Sequence, residues 1–131
     1  CFYKVLSNTS VEYTKPIAKR AAVNIPAAVK LSGKTFNVIK ISANAFRNNT
    51  VMKSLTIGSN VTTIGANAFY GCKNLNTVVI KTAKLTSKTV GTNAFAKTGA
   101  KPVVTVPAKQ FNTYKTLLRS KGISTKAVYK K

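Results

Sequence analysis

Apolar positions recur in this chain at two periods at once. At short range they alternate. In Leu55-Thr56-Ile57, Val78-Val79-Ile80 and Val104-Thr105-Val106 the outer two residues face the same way, which is the geometry of a short strand, and β-branched side chains dominate. At long range the whole arrangement returns. ISANAF closes at Phe46, IGANAF at Phe69 and VGTNAF at Phe95, spacings of 23 and 26 residues. Nine residues past each Phe stands an apolar residue (Leu55, Val78, Val104) and eleven past stands another (Ile57, Ile80, Val106). Five before each Phe is Ile41, Ile64 or Val90. Upstream, Val23 and Ile25 match Leu55 and Ile57; the step from Ile57 to Val61 recurs from Ile25 to Val29, and Leu85 fills the same role in the following unit. So many positions agreeing at one period predict a solenoid.

One unit can be assembled from its residues. After the strand comes a turn, Gly58-Ser59-Asn60 in one unit and Lys81-Thr82-Ala83 in the next. Ile64 then enters the core and Asn67-Ala68-Phe69 makes a tight corner. Asparagine tolerates left-handed backbone and bonds nearby backbone groups, so Asn44, Asn67 and Asn93 are expected to do both at the corners. Gly65 and Gly91 are assigned to turns. Phe46, Phe69 and Phe95 should pile into a buried spine. A single unit cannot cover its own apolar face, but stacked units can, by pairing their strands into a parallel sheet.

The ends depart from the repeat. Phe2-Tyr-Lys-Val5 and Val11-Glu-Tyr13 flank the polar turn Asn8-Thr9-Ser10 and predict a hairpin over residues 1–21. A second hairpin is inserted near 29–39, from Val29-Lys-Leu31 through Ser32-Gly33-Lys34 to Phe36-Asn-Val38. Pro107 opens an amphipathic helix to about Ser120, with Phe111, Tyr114, Leu117 and Leu118 on one face. Gly122 stops it, and Ala127-Val128-Tyr129 adds a last strand. Both ends are expected to cap the repeats at 22–106, with 107–131 as the second cap and 1–131 as one domain. The fold class is thus an α/β-type repeat solenoid with short parallel strands, an N-terminal hairpin cap and a C-terminal helical cap.

The stretch IGANAFYGCKNLNTVVI resembles the BspA-type leucine-rich repeat, whose units run roughly I-x-x-I-G-x-x-A-F-x-G-C-x-x-L-x-x-I-x-I. Ile64, Gly65, Ala68, Phe69, Gly71, Cys72, Leu75, Val78 and Ile80 fall on that pattern. From Ile41 to Ile57 Asn48-Asn49 replaces Gly-Cys, and from Val90 to Val106 the turn reads Thr98-Gly99. The resemblance covers roughly residues 22–107. It implies a right-handed solenoid and a secreted or cell-surface bacterial or protist protein, and the basic tail is similar to those ending many Firmicutes members.

Charge changes the picture most. The chain carries 22 Lys+Arg against one acid, Glu12, for a net +21. Only Arg20, Arg47 and Arg119 are arginine. Lysine is a hydrated point charge rather than a bidentate fork, so the balance predicts diffuse attraction to polyanions, not base reading. From Lys97 onward nine cations meet no acid: Lys97, Lys101, Lys109, Lys115, Arg119, Lys121, Lys126, Lys130 and Lys131. They form the candidate polyanion-binding set, for an anionic wall polymer, acidic polysaccharide or anionic lipid head. Nucleic acid suits the charge, but the aromatics belong to the spine and are not free to stack on bases, so it is not expected as a physiological ligand. The outward strand residues Ser54, Thr56, Thr77, Val79 and Thr105 are small and weakly polar, and form the candidate partner-binding face for a protein or cell-surface partner.

Catalysis has little to work with. There is no His and one side-chain carboxylate, so neither a general acid–base pair nor a triad nor a Zn, Ca or Mg site can be composed, and no cofactor is expected. Cys72 sits in the repeated corner and is expected to be a buried thiol. Cys1 is open to three readings: pairing with Cys72, bearing a lipid, or marking the start of a piece excised from something longer, as the missing initial Met also suggests. The sequons at Asn8, Asn48 and Asn60 are expected to be unmodified in a bacterial protein. Three functions remain: a non-catalytic binding or adhesion module working through the sheet face, a basic domain attaching a parent protein to anionic polymers, and a structural spacer.

Overall fold

The computed structural model describes residues 2–131; the alternatives for Cys1 lie outside them. Ten strands and one α-helix follow in order: β1 Phe2–Val5, β2 Ser10–Lys15, β3 Ala22–Ile25, β4 Ala28–Leu31, β5 Lys34–Ile41, β6 Ser54–Ile57, β7 Thr63–Ile64, β8 Thr77–Ile80, β9 Val103–Thr105, α1 Phe111–Ser120 and β10 Val128–Lys130. A short 3-10 segment at Ala108–Gln110 precedes α1, so the helical stretch that begins after Pro107 becomes α-helical at Phe111.

Two five-stranded sheets divide the strands. One runs β10-β9-β8-β6-β3 and is parallel throughout. Its register matches the periodicity residue for residue: Leu55 lies beside Val78, and Val78 beside Val104. The other runs β1-β2-β5-β4, with β7 also on β5, and Ile64 bridging to Val90. Both hairpins form, β1 with β2 and β4 with β5. The second turns at Ser32-Gly33, where φ is 51° and 78°. Two positive φ values in succession suit the tight turns that match strand twist. Here Val29, assigned the role of Val61, pairs across the hairpin with Phe36 and is only half-buried.

The rings stack. Centroids of Phe46 and Phe69 lie 5.2 Å apart and those of Phe69 and Phe95 5.1 Å apart, with planes within 12° and 18°. A fourth ring joins that the repeat motif does not mark: Tyr13 lies 5.4 Å from Phe46, and Tyr3 meets Tyr13 edge-on at 5.5 Å. This happens because β2 runs parallel to β5, setting Tyr13 beside Ile41. Around the column Leu55, Ile57, Ile64, Leu75, Val78, Ile80, Val90 and Val104 are all buried.

The corners form a ladder of their own. The amides of Asn44, Phe46 and Asn48 donate to the carbonyls of Ala66, Ala68 and Tyr70, and those of Asn67, Phe69 and Gly71 to Thr92, Ala94 and Ala96. Phe95 continues it to the carbonyl of Lys121 after α1. Asn44, Asn67 and Asn93 all adopt left-handed backbone, at φ 60°, 57° and 56°. Their expected side-chain bonds to backbone are not what closes the corners. Those bonds come from other amides: Asn49 accepts from the backbone N–H of Val51 and Met52, and Asn74 donates to the carbonyl of Thr50. Asn49 is 3% exposed, the buried counterpart of Cys72 one unit on.

Helix α1 buries Tyr114, Leu117 and Leu118 against the last repeat. The Tyr114 hydroxyl donates to the carbonyl of Thr82 at 2.7 Å and accepts from the Leu85 N–H at 3.1 Å. Thr82, fully buried, donates to the carbonyl of Val61 at 2.6 Å. A buried hydroxyl without partners would be costly; here each bonds the turn it covers. Gly122 takes φ 99° just past the helix and lets the chain reverse.

Candidate functional site

The parallel sheet presents two outward rows. Ser54, Thr77, Val103 and Val128 form one; Asn24, Thr56, Val79, Thr105 and Lys130 form the other. All five residues expected on this face are there. Thr77 is exposed, and Ser54, Thr56, Val79 and Thr105 are half-buried. Val103 and Asn24 belong with them, and the register that aligned Thr56, Val79 and Thr105 was the signal that could have found them. In a chain of net +21, both rows are free of charge from β3 to β9. Lys53 and Lys81 stand just outside, at the start of β6 and the end of β8. Uncharged, slightly polar and regular, this surface can be desolvated cheaply, because no ammonium has to give up its hydration.

The expected polyanion set is spread over several segments of the C-terminal third. Lys97 and Lys101 sit in the loop before β9, while Lys109, Lys115 and Arg119 ride on or before α1. Lys121 and Lys126 flank the turn after it, and Lys130 and Lys131 end the chain. Lys115 and Lys121 are half-buried and the other seven are exposed. Two are committed to rings: Lys115 lies 5.8 Å from the Tyr129 centroid and Lys131 lies 5.2 Å from that of Phe111. The sole acid is engaged elsewhere, with Glu12 accepting from Ser42 Oγ and lying 3.9 Å from Lys40 Nζ.

Cys72 is fully buried, and its thiol donates to the carbonyl of Phe46 at 3.0 Å. Burial pushes it up to about 11, and a backbone hydrogen bond from Asn49 pulls the other way. Burial also raises the phenols of Tyr3, Tyr13, Tyr114 and Tyr129. The thiolate is the reactive form, so Cys72 is not poised as a nucleophile. Labelling of Cys72 with a thiol reagent at mildly alkaline pH, read in a Cys1→Ser variant, should be slow in the native protein and fast in denaturant; fast native labelling would contradict this burial. The linkage has one sign. A folded pKa above the unfolded one favours folding at lower pH, so this stability is whole below pH 9 and is lost as pH rises through about 11. Chemical unfolding midpoints should therefore fall over that alkaline window.

Among the described residues no group of three or more His, Cys, Asp and Glu could hold a metal, and no helix is long and apolar enough to cross a membrane. Two further concavities flank the repeats. One, of about 720 Å³, lies between α1 and the 83–87 turn, with Leu85 and Leu117 in its wall and the hydroxyls of Thr86, Thr113 and Ser120 around it. The other, of about 610 Å³, lies at the corners, where Tyr70, Lys73 and Lys97 meet.

Comparison with known proteins agrees on the repeat. The family model described as BspA type leucine rich repeat region, six copies, matches residues 39–118. No curated protein matches the chain. Among solved structures, a leucine rich cell surface protein from Faecalibacterium prausnitzii A2-165 is similar at 24% identity and a TM-score of 0.64 over 81% of this chain. A leucine-rich repeat protein from Bacteroides capillosus is similar at 19% identity and a TM-score of 0.65, covering 98% of this chain and 93% of its own. One from Bacteroides ovatus gives 21% and 0.58 over 80% of this chain. The chain spans 35% of the Faecalibacterium and B. ovatus proteins. At these identities the likeness is one of fold.

Proposed function

Since the chain belongs to the BspA-type leucine-rich repeat family, we propose that it is a non-catalytic binding or adhesion module of a secreted or cell-surface bacterial protein, meeting a protein partner through the parallel-sheet face. The observation that carries this reading is the charge-free pair of rows, Ser54-Thr77-Val103 and Asn24-Thr56-Val79-Thr105, within an otherwise strongly basic molecule. Small residues in register leave a smooth surface on which a partner can approach the backbone closely. The cell-surface description of the Faecalibacterium protein supports the location. In this reading residues 1–131 are one domain, the coil is right-handed, the β1–β2 hairpin caps the first repeat, and α1 with β10 caps the last.

Adhesion of the labelled protein to cell-surface material tests it. Thr56→Arg with Val79→Arg should abolish binding while leaving the unfolding transition near its original midpoint. Neutralising Lys126, Lys130 and Lys131 to Gln should leave binding intact, and moderate salt should not release it. Retained binding in the arginine variant would overturn the sheet-face reading.

A second reading is favoured by the exposure of Lys97, Lys101, Lys109, Arg119, Lys126, Lys130 and Lys131. These cations, with Lys115 and Lys121, would attach a parent protein to anionic wall polymers or acidic polysaccharides. Counterion release would then make binding steeply salt-dependent. Indifference to both manipulations would leave the domain a spacer.

A further inference from the structure

The corners of successive coils differ in one respect that matters chemically. In register at the position two after each spine ring stand Asn48, Gly71 and Lys97, with φ of 59°, 77° and 58°. All three are left-handed. Glycine and asparagine accept that conformation readily; lysine does not, because its Cβ crowds the following carbonyl. Strained backbone of this kind collects at binding sites more than elsewhere. Lys97 lies on the wall of the 610 Å³ corner groove, with Lys73, Tyr70, Thr50, Thr98 and Asn48. Gly71 also lines it, and a Cβ there would run into the side-chain oxygen of Asn48. Arg47 adds a third cation beside the groove, its guanidinium 5.1 Å from the Tyr70 centroid.

We propose that this groove is a binding site for one or two units of a linear acidic polysaccharide, with Lys73 and Lys97 pairing with its anionic groups. Both lysines are exposed, and the single acid of the chain is held by Lys40 and Ser42. Lys73 and Lys97 stand on adjacent coils, four and two residues past their spine rings, and both line the groove, so a linear polyanion lying in it can meet the two charges together. The hydroxyls of Thr50 and Thr98 and the amide of Asn48 offer neutral partners to sugar hydroxyls. The inference rests on the second reading, that the chain meets acidic polymers, but moves the contact from the diffuse C-terminal cations to a built site.

Titration of the isotope-labelled protein with an oligogalacturonate tetramer and a heparin tetrasaccharide, at physiological ionic strength, tests it. Amide shifts should centre on Tyr70, Gly71, Lys73 and Lys97. Lys73→Gln with Lys97→Gln should weaken binding about tenfold or more. Lys109→Gln with Lys130→Gln, equal in charge removed, should weaken it less than about threefold. Lys97→Asn separates binding from folding. It should raise the melting temperature by about 3–5 °C by relieving the left-handed lysine, yet bind more weakly; a purely structural lysine would show the first effect only. Equal losses in both lysine pairs would overturn the site while leaving the diffuse reading standing. No binding of either sugar would overturn both. Equal binding of a single-stranded oligonucleotide of matched charge would overturn the choice of ligand.

Discussion

Phe69→Ala should lower unfolding stability by about 3–5 kcal/mol, a large fraction of the 5–15 kcal/mol typical of a domain. The ring is fully buried between Phe46 at 5.2 Å and Phe95 at 5.1 Å, so its removal empties the middle of the column and strips both neighbours of a stacking partner. Adjacent coils are fixed on both sides by backbone ladders: Phe46 N–H to Ala68 carbonyl, and Phe69 N–H to Ala94 carbonyl. They cannot close on the void without breaking those bonds, so the cavity should persist and the cost should sit high in the range for such truncations. Urea unfolding measures it. A loss near 1 kcal/mol would mean that the column collapses freely and is not a rigid spine.

Gly65→Ala should cost about 3 kcal/mol, at the upper end of overpacking penalties. Gly65 and Gly91 do open turns, their carbonyls accepting from the Ala68 and Ala94 N–H groups, but the reason for glycine there is the space between coils, not a left-handed φ. A Cβ on Gly65 would collide with the backbone N and Cα of Ala43, and one on Gly91 with those of Ala66. Backbone cannot swing aside like a flexible side chain, so two coils would have to separate. Gly33→Ala is the natural control: its Cβ meets nothing within 4 Å, and only its φ of 78° is strained. That should cost about 1 kcal/mol. If the two variants unfold at the same denaturant concentration, close approach is not what these glycines provide.

The repeat was legible because three corners carry nearly the same letters, and the strand positions followed by counting from each Phe. What stayed hidden needed contacts between residues far apart without a repeated motif. Tyr13 completes the ring column although nothing around it resembles N-A-F; only the parallel pairing of β2 with β5 puts it there. The Tyr114–Thr82–Leu85 bonds join residues about 30 positions apart, and a tyrosine on an apolar helix face gives no hint of its hydroxyl's partner. The hairpin inserted at Val29 broke the expected match to Val61, because cross-strand pairing with Phe36 took precedence over the repeat. At the surface the sheet rows could be drawn from the period, whereas the corner groove could not. Its residues, at 48, 50, 70, 71, 73, 97 and 98, come from three coils, and Lys97 stands out only once its φ of 58° is known.

The outward rows and the corner groove exist because side chains of successive coils lie in register, and a double-mutant cycle on the rings tests that register most directly. Phe46→Leu and Phe69→Leu, singly and together, should show a coupling of about 0.5–1.5 kcal/mol, as for neighbouring aromatic pairs. Phe46 and Phe95, separated by Phe69, should couple by less than about 0.5 kcal/mol. Coupling that is absent between Phe46 and Phe69, or equal for both pairs, would contradict a column built one ring per coil.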